Sequence, residues 1–148
     1  MMSANEARLQ LAVIQAEGAE CQKRYHQHVE AMKRTELEIA TLKTRITAID
    51  EATAELGKWQ SGATVSFSPP SAVASWQAQA DKLSAERMQL CRQILTLKSV
   101  VASNRMDALK LAKRIEELRR SQRNLEEVAA GRNPAKGWEG GVYYVIGR

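Results

Sequence analysis

His26 and His28 are the only histidines in this 148-residue chain. They stand two residues apart, so on a helix their imidazoles point to different faces. That makes them a poor metal pair, and His28 reads as a packed polar residue on an apolar seam. Cys21 and Cys91 are the other soft ligands. They are distant in sequence, form no disulfide framework and suit a reducing compartment. The glycine pairs do not cradle phosphate either: Gly57-Lys58 and Gly140-Gly141 match no phosphate-binding loop. Carboxylates are plentiful, but they sit among lysines and arginines as solvated flanks of helices. No Ser/His/Asp constellation is credible on an architecture that forms no concave pocket. The chain is expected to hold no catalytic, cofactor-binding or metal-binding residue, to need no cofactor and not to be an enzyme.

One basic cluster raises nucleic-acid binding as an alternative. Arg105, Lys110, Lys113, Arg114, Arg119, Arg120 and Arg123 crowd one length of sequence. Placed on a helix they spread over several faces, with Glu116, Glu117, Glu126 and Glu127 among them. A surface that tracks phosphates shows a cleaner stripe. Nucleic acid is therefore a secondary expectation. The formal net charge is +5, and the excess lies in the second half of the chain.

The elements that carry these residues follow from apolar spacing. Ala, Glu, Gln, Lys, Leu and Arg dominate, aromatics make up 5%, and prolines number three. Such side chains lose little rotamer freedom on a helix, and few large rings are available to fill a thick core. Ser3 and Glu6 have the spacing of a capping box. From Leu11 a 3-4 alternation continues through Ile14, Gly18, Cys21, Tyr25, His28, Met32, Thr35, Ile39, Leu42, Ile46, Ile49 and Thr53 to Leu56. A second series runs from Val73 and Trp76 through Leu83, Leu90, Ile94, Leu97, Val101, Asn104, Leu111, Ile115 and Leu118 to Leu125. A sustained 3.5-residue repeat argues for a coiled coil.

The expected architecture is all-α: a long antiparallel two-helix coiled-coil hairpin. Its parts are a helix over 3–56, a connector over 57–72 and a helix over 73–130, together the hairpin of 1–132. An extended tail follows over 133–148. Each helix would measure about 80 Å. A connector that reaches at most about 50 Å cannot return to the start of the first helix, so the second must fold back. Gly57 and Gly131 are placed to stop the helices, and Pro134 bars continuation. In that register residue i faces a residue near 129 − i. His28 would meet Val101, Tyr25 would meet Asn104, and Leu56 would meet Val73.

Residues left over from the seam are the candidate binding groups. Trp59 and Phe67 fall at the connector, where Thr64 to Ser68 alternates like a short strand. Trp138 precedes a β-branched and aromatic run, Val142, Tyr143, Tyr144, Val145 and Ile146. That run reads as a strand with no sheet of its own, and it is expected to dock by strand addition to another subunit. Met88, Leu95, Met106 and Leu109, with Cys91 and Ala102, follow a partial heptad on a neighbouring face of the second helix. A two-stranded coil does not bury such a stripe, so another helix is its expected partner.

The expected function is a structural or adaptor subunit of a large assembly, forming homo- or hetero-oligomers. A bacteriophage virion part (tail, neck or capsid accessory) is the favoured setting. The N-terminus shows no secretion signal and no segment approaches a membrane span. A soluble protein made in the cytoplasm is expected, later built into a virion or a secretion apparatus. In length and layout residues 3–130 also resemble the flagellar and injectisome export-stalk family. The resemblance implies a small antiparallel hairpin that inserts into a hexameric export ATPase and interacts with chaperones. A prefoldin-like holdase ranks lower, because its β portion is larger than this connector allows.

Overall fold

The computed structural model describes residues 2–61 and 70–131, and the side chains of residues 59–61 lie outside that description. Two helices make up the described chain, α1 (Ala4–Ser61) and α2 (Pro70–Ala129), packed against each other in an all-helical fold. No strand occurs among the described residues. The strand-like runs expected at 64–68 and 142–146 fall outside them.

Local chemistry sets the helix ends. Ser3 Oγ accepts from the Glu6 amide at 3.2 Å, and Glu6 Oε2 accepts from the Ser3 amide at 3.4 Å. This reciprocal capping box satisfies donors that the first turn cannot bond internally. At the other end of α2, Gly131 takes a positive φ of 79° and donates its amide to the Val128 carbonyl at 3.0 Å. A residue without a Cβ adopts that left-handed conformation at little cost.

The expected stop at Gly57 and start at Val73 are both corrected. α1 runs through Gly57 to Ser61, and α2 starts at Pro70 and closes at Ala129. A glycine inside a helix costs only about 1 kcal/mol relative to alanine, and Lys58 in the last turn suits the helix dipole. Pro70 occupies the first helical position, where its missing amide is no loss. Val73, expected on the seam, is exposed, and Ala72 is half-buried instead.

The chain divides into two compact units. The terminal unit joins Met1–Ala31 to Ser103–Arg148, and the middle unit is Met32–Ala102. In the terminal unit α1 and α2 run antiparallel, as the pairing of Glu17 with Arg114 and of His28 with Asn104 shows. Its core is Ala7, Ile14, Cys21, Ile115, Leu118 and Leu125, flanked by Leu11, Tyr25, Leu111 and Val128. Ala7, Ile14 and Cys21 recur every seven residues, which keeps one edge of α1 turned to its neighbour. Burying each Ile or Leu contributes about 1.5–3 kcal/mol.

The middle unit is also antiparallel, with Arg45 beside Glu86 and Asp50 beside Arg87. Its core cluster is smaller: Ile39, Ile94 and Val101, with Met32, Leu42, Ile46 and Leu97 against it. Thr41, Thr44, Thr47 and Thr53 each donate their hydroxyl to the carbonyl four residues back, at 2.8–3.1 Å. These bonds satisfy the hydroxyls within the helix itself.

The register differs from the expected one by about a turn. His28 bonds to Asn104, three residues past the Val101 expected opposite it, and Tyr25 packs on the terminal core that includes Ile115. The connector is shorter at both ends. α2 begins three residues earlier and α1 ends five residues later than expected, and these shifts move the facing positions.

Candidate functional site

Two kinds of side chain stand out once the cores are filled: polar groups trapped between the helices and apolar groups left in solvent. The trapped set lies in the terminal unit. Arg114 is mostly buried, and its Nε and Nη2 both donate to Glu17 Oε1, at 2.9 and 2.6 Å. Nη1 reaches Glu117 Oε2 at 3.4 Å. Burial opposes the guanidinium charge, and the bonds to Glu17 and Glu117 together outweigh it, holding Arg114 above its ordinary value. This arginine is expected to stay charged and to clamp the two helices together.

The second trapped contact joins His28 Nδ1 to Asn104 Oδ1 at 2.8 Å, a half-buried hydrogen bond that the amide oxygen accepts. His28 therefore packs as a polar seam residue. His26 instead sets its ring edge-on to Tyr25, with centroids 5.7 Å apart. Both cysteines are free thiols, Cys21 buried in the terminal core and Cys91 half-exposed. No group of His, Cys, Asp and Glu that could hold a metal ion occurs among the described residues.

The apolar candidates on α2 are where helical periodicity puts them. Met88, Leu95, Met106 and Leu109 keep 55%, 67%, 57% and 60% of their surface in solvent. Met88 and Leu95 belong to the middle unit, Met106 and Leu109 to the terminal unit. Trp59 lies in the last turn of α1. Phe67, Trp138 and the run Val142, Tyr143, Tyr144, Val145 and Ile146 lie outside the described residues.

The sequence also carries scattered apolar residues off the seam of α1, Leu9, Val13, Ala16 and Leu37. Leu37, on α1, is 70% exposed at the rim of an open groove of about 810 Å³. Leu42 and Leu97 line that groove with Thr41 and Thr96. The Leu9 and Val13 side chains, in the first turns of α1, are likewise exposed. The signal for both was present as apolar residues off the 3-4 seam on α1, but they are sparser there than on α2.

Several basic residues are taken up in ion pairs. Arg114 is committed to Glu17, Arg120 pairs with Glu116, and Arg87 pairs with Asp50 at 2.7 Å. The hydrogen bond and charge of Asp50 raise Arg87 above its ordinary value. No helix among the described residues is long and apolar enough to cross a membrane. The chain matches no family model, no curated protein and no solved structure.

Proposed function

We propose that this chain is a non-enzymatic structural or adaptor subunit of a larger protein assembly, engaged through the outer face of α2. The observation that supports this reading is the exposure of Met88 and Leu95 in the middle unit and of Met106 and Leu109 in the terminal unit. Each unit has its own seam core, so these four residues are surplus to the hairpin. Methionine and leucine at helical spacing suit a helix-in-groove contact, since flexible Met side chains adapt to a partner surface. The C-terminal tail, with Trp138 and Val142 to Ile146, supplies a second contact in this proposal, by strand addition to a neighbouring subunit.

The test is a variant carrying Met88→Ser, Leu95→Ser, Met106→Ser and Leu109→Ser, which leaves every seam residue in place. Its sedimentation and the proteins it retains from its native cells are compared with those of the intact chain. Loss of self-association or of specific retained partners is the expected result. Identical behaviour of the two chains would remove the basis for the proposal. Gene neighbourhood separates the settings: capsid and tail genes accompany a virion part, an export ATPase gene accompanies an export stalk.

A further inference from the structure

The terminal unit carries two exposed apolar patches of opposite electrical character. On α1, Glu6, Leu9, Val13, Ala16 and Glu20 are all exposed and follow a 3-4-3-4 spacing, so they form one stripe. No lysine or arginine occurs from Leu9 to Glu20, while exposed Arg8 precedes Leu9 and exposed Lys23 and Arg24 follow Glu20. The stripe is thus two large apolar side chains and an alanine, bracketed by carboxylates. On α2, Met106 and Leu109 stand exposed beside Arg105, Lys110 and Lys113, which are also exposed. Every exposed charged residue from Ser103 to Lys113 is cationic, because Asp107 is half-buried.

We infer that these patches fit each other between copies: the acid-bracketed Leu9/Val13 stripe of one molecule docks on the base-flanked Met106/Leu109 patch of a second copy. The inference rests on the proposed role of the α2 face and names its partner. Apolar side chains at the centre with opposite charges at the rim is the arrangement of a specific interface. Like patches do not pair, since two α2 patches would oppose cation to cation. The contact therefore uses a different surface on each molecule. Each copy has one of each to offer, so association closes reciprocally in a two-fold dimer or continues into a ring or a filament.

The experiment is sedimentation velocity on the full chain over a range of concentrations, at low and high salt. Association beyond the monomer is expected, and salt should reduce it because the rim charges are exposed. Lys110→Glu with Lys113→Glu should weaken association by about tenfold. Glu6→Lys with Glu20→Lys should do the same. Mixing these two variants should restore association, since each reversed patch then meets its complement. The α2 variant leaves the capping box at Ser3 and Glu6 intact, and circular dichroism checks the helix of both.

A chain that stays monomeric at every concentration overturns the inference. So does unchanged association in the Lys110/Lys113 variant, or salt-sensitive binding of a nucleic acid by a monomer through those lysines. The role of the α2 face survives a monomeric result if the four-serine variant still loses a foreign partner. The two readings therefore fail on different measurements.

Discussion

The terminal and middle units use the same two helices and hold them together differently. The terminal unit has a continuous buried cluster of six residues, with Ile14 and Leu125 fully enclosed. It adds Arg114, only 18% exposed, bonded across to Glu17. The middle unit has a buried cluster of three residues, with Ile49 and Leu90 also buried but outside it. Its ion pairs, Arg45–Glu86 and Arg87–Asp50, lie half in water, and an open groove runs beside Leu42 and Leu97. Identical heptad logic thus yields unequal cohesion, because what fills the flanking positions differs. Exposed ion pairs contribute about 0–1 kcal/mol, while a charged group bonded in a part-buried site contributes about 1.5–3 kcal/mol.

That contrast can be broken most sharply in the cores. Leu118→Ala in the terminal unit should cost about 3–4 kcal/mol in urea unfolding, and Ile94→Ala in the middle unit nearer 2 kcal/mol. Equal losses would show that the two cores are equivalent. Arg114→Gln should cost about 1–2 kcal/mol, leaving Glu17 without its clamp. A loss no larger than that of an exposed pair would remove the distinction drawn between the units. Gly18→Ala should stabilise the terminal unit by roughly 0.5–1 kcal/mol. A methyl group there meets nothing within 4 Å, and Gly18 has no positive φ. Asp50→Asn should leave the urea unfolding midpoint unchanged, because both partners of that pair lie half in water. Amide exchange refines the comparison without mutation. Protection should be higher around Ile14 and Leu118 than around Ile39 and Ile94, since local opening follows buried contact density.

Much of the fold was legible in the sequence because it depends on short-range rules. The Ser3–Glu6 cap, the seam through Ile14, Cys21, Ile39, Ile94 and Leu118, and the left-handed Gly131 all follow from spacing and residue type. The extent of α1 did not, because a glycine is only mildly unfavourable in a helix and neighbouring residues carried α1 past Gly57. The facing partners of His28 and Tyr25 inherited that error, since a hairpin's register is set by where its helices start and stop. The exposed α2 residues were legible as a stripe off the seam. Leu9, Val13 and Ala16 were legible in the same way, but their bracketing by Glu6 and Glu20 gains meaning only beside a charge pattern on another helix. The pairing of Arg114 with Glu17 was hidden, for no local pattern marks which of several arginines turns inward.

The bond between His28 and Asn104 gives the terminal unit a tooth in its ratchet, a second one beside the Arg114–Glu17 clamp. Leucine and isoleucine layers are nearly interchangeable, so one helix could slide a heptad along the other at little cost. Moving this pair out of step would leave an imidazole and an amide facing hydrocarbon, each short of a partner, at about 1–3 kcal/mol apiece. Slippage is thereby discouraged at one place, without any gain required from the pair itself. A newly made chain that zips along its oily edge can recognise the correct alignment when this tooth engages.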